Sequence, residues 1–263
     1  MIRKTLSATK LATFSVDLPN ARLKGMPSPT GTGFFVSSDG WFVTAAHVIT
    51  ENNQSDGPVR KDISQAFLMK ESPPGNPPVM CQAVTFDFVD PATDFALLKV
   101  DFKANTPKAC WQGRTGFPFI EVSSRNLDEG EPVYSFGYPL SSSGLLVNDP
   151  AVKVGHTAHS PRTTSAIVAS TLENTKMVSS TADPKVYVLD KALNYGNSGG
   201  PIVAAETGKA HAFCSRFQPV SIRQPHLGII WVDIPSLYGI VSSLNNARII
   251  ETLRSRGISI SDA

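Results

Sequence analysis

The sequence predicts an all-β fold made of two antiparallel β-barrels, followed by a C-terminal helix. Short runs with the apolar and β-branched composition of strands recur at residues 33–37, 41–44, 66–69, 84–89, 95–100, 133–136, 166–171, 186–189, 202–204 and 228–232. Turn residues separate these runs. A parallel sheet would require long helices between its strands, and no long amphipathic helix pattern lies between these runs. In residues 84–89 apolar and polar side chains alternate, which is the period of a half-buried strand.

A division between the two barrels is predicted near residue 125. About half of the strand-like runs precede it, and a polar turn at residues 126–132 leads into a new run. We therefore expect residues 1–125 to form an N-terminal barrel and residues 126–263 to form a C-terminal barrel, with both in one functional domain.

The first clear helix pattern comes at the end of the chain, over residues 244–257. Ile249, Ile250 and Leu253 fall on one stripe of this segment, and most of its charges lie off that stripe. Gly257 provides the residue that commonly ends a helix. The pattern predicts an amphipathic helix.

Composition and charge exclude several classes of partner. The 263 residues carry 24 Lys and Arg against 22 Asp and Glu, a net charge of +2 without a basic cluster, so we expect no nucleic-acid partner. No segment reaches the roughly 18 apolar residues of a membrane span, and the N-terminus lacks the apolar core of a signal peptide. Cys81, Cys110 and Cys214 form no disulfide framework. These features predict a cytoplasmic protein.

The strongest chemical signal is the sequence GNSGGP at residues 196–201. A serine hydroxyl is a weak nucleophile that needs a base and hydrogen-bond donors for the oxyanion it creates. Glycines beside Ser198 permit a tight turn that directs successive N–H groups into one concavity. We expect the N–H groups of Gly196 and Ser198 to form an oxyanion hole. On its own, the motif fits a glycine-rich turn with a solvated serine equally well.

Two further residues could complete a catalytic set. His47 lies in TAAHVI after a strand-like run, and Asp94 precedes the apolar run at residues 95–100. Taken singly, His47 fits an ordinary structural histidine and Asp94 fits a turn residue. With Ser198 they give the chain order His, Asp, Ser of chymotrypsin-type triads. In such a triad Asp94 orients His47, and His47 takes the proton of Ser198.

With these motifs in place, the sequence resembles the trypsin-like serine proteases and, within them, the HtrA type. The resemblance extends over about residues 30–257, and its most similar segments are residues 32–48, 94–100, 130–139 and 190–201. It implies the chymotrypsin-like double barrel, with six strands in each barrel, and a serine endopeptidase that works through an acyl-enzyme. The chain departs from the pattern at Tyr195, where proline is expected. We expect no PDZ domain.

The resemblance also implies a primary specificity pocket. Its lining residues would be Ala192, Leu193, Ala212, Phe213 and Cys214. Ala192 stands where an acid would select Lys or Arg, and Phe213 and Cys214 would add apolar wall. We expect a preference for small or medium apolar residues on the acyl side of the scissile bond. Discrimination should be loose, because one methylene is worth only about 1–3 kcal/mol in such a pocket.

Two other functions fit parts of the sequence. Residues 196–200 also match the nucleophile elbow of α/β-hydrolases, which would make the protein a serine esterase. That elbow needs a helix after the serine and a matching histidine downstream, whereas residues 201–204 are strand-like and only His211 and His226 follow. A catalytically silent protease fold that binds a partner is the other alternative.

No metal or organic cofactor is expected. His156 and His159 have the spacing of one helix face, but Gly155 and Pro161 disfavour a helix there, so they are interpreted as histidines of a surface loop. The expected partners are protein or peptide substrates. A regulatory protein partner is a further hypothesis, because no inhibitory segment is recognisable.

Overall fold

The computed structural model describes residues 2–71, 79–82, 84–105, 113–139, 141–145, 155–172, 185–224 and 230–262. The strands of the first half are β1 (Thr13–Asn20), β2 (Met26–Phe35), β3 (Trp41–Ala45), β4 (Phe67–Lys70), β5 (Val79–Cys81), β6 (Val84–Asp90) and β7 (Phe95–Val100). Those of the second half are β8 (Val122–Ser123), β9 (Pro132–Gly137), β10 (Ser142–Leu145), β11 (Gly155–Ala158), β12 (Arg162–Leu172), β13 (Val186–Leu189), β14 (Pro201–Ala204), β15 (Ala210–Gln224), β16 (Ile230–Ser243) and β17 (Ile260–Ser261). The helices are α1 (Ile2–Ala12), α2 (Ala46–Ile49), α3 (Phe102–Asn105) and α4 (Ala247–Ser255).

The first seven strands form one antiparallel sheet in the order β5-β4-β1-β2-β3-β7-β6. Strands β3 and β7 are neighbours, with Ala45 opposite Phe95. The end of β3 therefore lies beside the start of β7, and the residues that follow β3 and precede β7 are brought together. This register places His47 next to Asp94.

The second sheet closes on itself. Strand β14 pairs with both β9 and β15, so that β9, β12, β13, β16, β15 and β14 form a ring of six antiparallel strands. The short strands β8 and β17 extend it beyond β15, and β10 pairs with β11 separately. The predicted all-β double-barrel fold is confirmed, and the second barrel has the six strands expected. The first sheet differs from the prediction, because it has seven strands and no pairing between its end strands β5 and β6 closes it among the described residues. Because β8 already belongs to the second sheet, the exact division at residue 125 stays a prediction.

Apolar side chains join the two barrels. Phe213 of β15 packs edge-on against Phe95 of β7, with ring centroids 6.0 Å apart. Helix α4 adds Ile249 and Leu253, both fully buried, to the same core cluster. Asn246 is the N-cap of this helix, and its side chain accepts a hydrogen bond from the N–H of Arg248. The predicted C-terminal helix is confirmed, with slightly tighter bounds.

Helix α1 was not predicted from the sequence. Among its described side chains only Thr9 and Ala12 are buried, so its own apolar face contributes little packing. Tertiary contacts hold it instead: the Lys10 ammonium lies 5.7 Å from the centre of the Phe136 ring in the second barrel. In the described part of the chain, no helix has both the length and the apolar character needed to cross a bilayer.

Candidate active site

A buried carboxylate and a histidine form the centre of the site. Asp94 sits in the turn before β7 in a left-handed conformation, with φ of 59°, and is fully buried. His47 lies in α2, directly after β3. Its backbone N–H donates to Asp94 Oδ1 over 3.0 Å, and its Nδ1 lies 2.8 Å from Asp94 Oδ2. Both the backbone and the ring of His47 are therefore fixed by one carboxylate.

Two serine hydroxyls complete the surroundings of Asp94. Ser55 donates to Oδ1 over 2.8 Å, and Ser215 donates to Oδ2 over 2.7 Å. Burial by itself acts to raise the pKa of the Asp94 carboxyl, but the charge and hydrogen bonds of His47 and the Ser215 hydroxyl outweigh it. The pKa is held below its ordinary value, so Asp94 stays ionised. Neither serine was identified from the sequence, because each becomes a neighbour of Asp94 only in three dimensions.

Ser198 lies in a tight loop that only glycine can form at two points. Gly196 and Gly199 have φ of 93° and 84°. A Cβ at Gly196 would lie 2.5 Å from the Tyr138 carbonyl oxygen, and one at Gly199 would clash with backbone of the first barrel. Hydrogen bonds close the loop, from Asn197 N–H to the Asn194 oxygen over 3.0 Å and from Gly199 N–H to the Cys214 oxygen over 2.6 Å.

Two N–H groups of this loop are left available. In the described residues, the backbone N–H groups of Gly196 and Ser198 donate no hydrogen bond within the protein. The carbonyl groups of the same two residues are both bonded, to Thr32. The loop is thus anchored through its acceptors while two donors stay free.

His47 and Ser198 line the same cavity, which has a volume of about 680 Å³. Its other lining residues come from both barrels: Pro29, Thr30, Asn53, Gln54, Ser55, Asp56, Tyr138, Ser141, Leu193, Asn194, Tyr195, Gly196, Cys214 and Ser215. Among the described residues there is no hydrogen bond between the Ser198 hydroxyl and the His47 ring. Catalytic hydrogen bonds often form only with substrate bound, so this geometry is compatible with proton transfer.

Comparison with known proteins identifies the family. The trypsin-like peptidase domain matches residues 31–212. The chain belongs to the trypsin-like peptidase family. The match includes His47, Asp94 and Ser198, and it confirms the family predicted from the sequence.

Individual relatives of this trypsin-like peptidase chain are HtrA-type proteins. Serine protease HTRA1A of Danio rerio is 28% identical over 179 residues, which are 68% of this chain and 28% of that protein. Serine protease HTRA3 of Homo sapiens is 23% identical over 180 residues, again 68% of this chain and 32% of that protein. The similarity thus spans about a third or less of each of these relatives.

Solved structures support the fold. The HtrA-type protease AlgW with a decapeptide superposes with a TM-score of 0.60 at 17% identity, covering 97% of this chain and 67% of that one. The active form of the Rv3671c protease from M. tuberculosis gives a TM-score of 0.57 at 16% identity, covering 98% and 86%. At this identity the likeness is one of architecture.

The five residues expected to line the specificity pocket fall into two groups, according to whether they line the cavity. Leu193 and Cys214 line the cavity, whereas Ala192, Ala212 and Phe213 do not. Phe213 instead packs on Phe95 in the core between the barrels. Phe213 is therefore a core residue, and the expectation that it lines the pocket is wrong. Burial and the nearby Asp94 charge raise the pKa of the Cys214 thiol, which keeps it protonated.

The remaining histidines lie apart from the cavity or outside the described side chains. The interpretation of His159 as a surface histidine is wrong, because it forms a buried pair with Asp17, with 2.9 Å between Nε2 and Oδ2. His211 is buried in β15. The His156 side chain, His226 and Cys110 lie outside what the structure describes. In the described residues no group of three or more His, Cys, Asp or Glu side chains could hold a metal ion.

Proposed function

We propose that the protein is a serine endopeptidase in which Ser198 is the nucleophile, His47 the general base and Asp94 the residue that orients His47. The observation that carries this proposal is the buried pair of His47 and Asp94 in the cavity that Ser198 also lines. Membership of the trypsin-like peptidase family supports the same assignment.

The hydrogen bonds around Asp94 explain how His47 would act. Because Asp94 Oδ2 accepts from Nδ1, the neutral ring carries its proton on Nδ1 and leaves Nε2 free to accept the Ser198 proton. The serine oxygen then attacks the carbonyl carbon of a peptide bond. Asp94 stabilises the imidazolium that results, since it stays ionised.

The free N–H groups of Gly196 and Ser198 would receive the charge that develops on the substrate oxygen. Loss of one such donor typically costs about 10²–10³ in rate. Collapse of the tetrahedral intermediate passes the proton from His47 to the leaving amine and leaves an acyl-enzyme on Ser198. Water, activated by His47, attacks the ester and restores the hydroxyl. Each proton that moves in this cycle passes through His47.

The apolar side chains at the base of the cavity support a preference for small or medium apolar residues. Leu193 is almost fully buried while still reaching the cavity, and Cys214 stays uncharged. Among the described residues that line the cavity, Asp56, in the loop after His47, is the only acidic one. Protein or peptide chains are therefore the proposed substrates.

The esterase alternative loses its structural basis. Ser198 is followed by strand β14, whereas the α/β-hydrolase elbow is followed by a helix. A silent binding protein remains the alternative that an assay must test.

A matched pair of proteins tests the proposal. Wild type and Ser198→Ala are incubated with casein and with a proteome-derived peptide library, and new termini are identified by mass spectrometry. Cleavage by wild type alone, after apolar residues, is the expected result. Binding of peptides by both proteins without new termini would support the silent alternative instead.

A further inference from the structure

Thr32 of strand β2 connects the first barrel to the nucleophile loop through two hydrogen bonds and to the residue after β9 through a third. Its N–H donates to the Ser198 oxygen over 2.7 Å, and its hydroxyl donates to the Gly196 oxygen over 2.6 Å. The same hydroxyl accepts the N–H of Tyr138 over 3.0 Å. Thr32 is fully buried and does not line the cavity. One side chain therefore joins β2, the end of β9 and the loop.

Thr32 is itself held in place. Its carbonyl oxygen accepts the hydroxyl of Thr44 over 2.7 Å, and its neighbour Gly33 pairs with Thr44 in the register between β2 and β3. Because β2 lies in the middle of the first sheet, between β1 and β3, the Thr32 backbone is part of a rigid element. The loop is thus bonded to a fixed point rather than to another loop.

The position of these bonds bears on the two free donors. The Ser198 N–H belongs to the peptide group between Asn197 and Ser198. That group lies between the Gly196 and Ser198 carbonyl groups, both of which are bonded to Thr32. The Gly196 N–H belongs to the preceding peptide group and is separated from the Gly196 carbonyl group only by the Cα of Gly196. Gly196 has φ of 93°, and a glycine by itself restricts rotation about that Cα very little. The bond from the Thr32 hydroxyl to the Gly196 carbonyl, together with the bond from the Asn197 N–H to the Asn194 oxygen, restrains the peptide group that follows this Cα.

We propose that Thr32 is a positioning residue that holds the oxyanion hole in its working geometry. The proposal rests on the proposed endopeptidase function and adds a residue that touches no substrate. The hydroxyl must both donate and accept. Serine retains both capacities, and valine, which has nearly the same shape as threonine, has neither.

Three variants test this role: Thr32→Val, Thr32→Ser and a matched control, Thr13→Val. Thr13 is also a fully buried threonine of the first barrel, but its hydroxyl bonds to the Thr9 oxygen, away from the nucleophile loop. We expect Thr32→Val to lower kcat by about 10- to 100-fold, less than the 10²–10³ typical of deleting a donor outright, with KM little changed. Thr32→Ser should retain most of the activity, and Thr13→Val should match wild type.

A second measurement separates positioning from general destabilisation. The affinity of a peptide boronic acid, which forms a tetrahedral adduct with the serine, should weaken in Thr32→Val in proportion to kcat. Thermal unfolding is recorded for all variants, because both valine variants lose a buried hydrogen bond and should melt at lower temperature.

The outcomes distinguish the two proposals. If wild type neither cleaves peptides nor forms the adduct, the endopeptidase function is wrong and the role of Thr32 falls with it. If wild type is active but Thr32→Val equals Thr13→Val in kcat and boronate affinity, only the role of Thr32 is refuted. A rise in KM with unchanged kcat would also refute it, because the hydroxyl would then act on substrate binding.

Discussion

Replacing Asp94 by asparagine tests the arrangement around His47 most informatively. Asparagine keeps the shape of the side chain but exchanges one oxygen for an NH₂ group. In the native protein Oδ1 accepts the His47 backbone N–H and the Ser55 hydroxyl, while Oδ2 accepts the Ser215 hydroxyl and faces His47 Nδ1. The hydroxyl groups can rotate to become acceptors, but the backbone N–H cannot.

The direction of the new amide group is therefore determined. Its oxygen must remain at the position of Oδ1, opposite the fixed N–H of His47, and its NH₂ group must take the position of Oδ2. There it donates to Nδ1, which forces the ring proton onto Nε2, where it blocks acceptance of the Ser198 proton. A triad with the wrong tautomer loses about 10⁴ in kcat, which equals about 5.5 kcal/mol of transition-state stabilisation.

The assay compares kcat and KM of wild type, Asp94→Asn and Asp17→Asn on one fluorogenic peptide at pH 7. Asp17 is the matched control, because it is also a buried carboxylate paired with a histidine, His159, and it lies outside the cavity. Nitrogen NMR of labelled histidine should show the Nε2–H tautomer of His47 in Asp94→Asn. Equal losses of kcat in both variants, or an Nδ1–H tautomer in Asp94→Asn, would refute the reasoning.

Three further predictions concern stability. The pKa of Asp94 is lowered on folding, so ionised Asp94 stabilises the folded protein. This stabilisation is fully present above the unfolded pKa of about 3.9 and is lost as pH falls through the lower folded pKa. Urea titrations should therefore show that the difference in unfolding free energy between wild type and Asp94→Asn shrinks over that acidic range. Gly199→Ala should unfold at clearly lower urea concentration than Gly130→Ala and lose activity, since both positions have positive φ but only Gly199 lacks space for a Cβ; equal midpoints would contradict the clash. Leu253→Ala should cost about 2–5 kcal/mol in α4, whereas the exposed Leu11→Ala should cost little; calorimetry that finds equal losses would show that α4 does not contribute to the core.

Local patterns in the sequence were sufficient for many of the strands and for selecting three residues that the fold brings to one site. Strands β7 and β13 have the predicted bounds, since continuous apolar runs between turns leave little choice of register. Strand β1 was missed because Asp17 and Pro19 interrupt its apolar pattern, and the histidine that pairs with Asp17, His159, is 142 residues away in the sequence. Each of His47, Asp94 and Ser198 has its own recognisable neighbours in the sequence.

The supporting residues could not be predicted in the same way. Ser55 and Ser215 reach Asp94 from separations of 39 and 121 residues, and Thr32 reaches Gly196 across 164. A serine or threonine has no local signature for such a contact, because it bonds whatever the fold brings near. For Phe213 the strand alternation was available from the sequence, but the side of β15 that faces the cavity is set by the packing of the barrels.

Covalent labelling of Ser198 tests the central claim most directly. A fluorophosphonate reacts with a serine that a neighbouring base activates, and mass spectrometry of the digested protein identifies the modified residue. The account predicts one adduct, on Ser198, in wild type, and its loss in His47→Ala with the fold intact by circular dichroism. Labelling of Ser198 to the same extent in His47→Ala would contradict the account. Full inhibition of peptide cleavage by the reagent while Ser198 stays unmodified would contradict it as well.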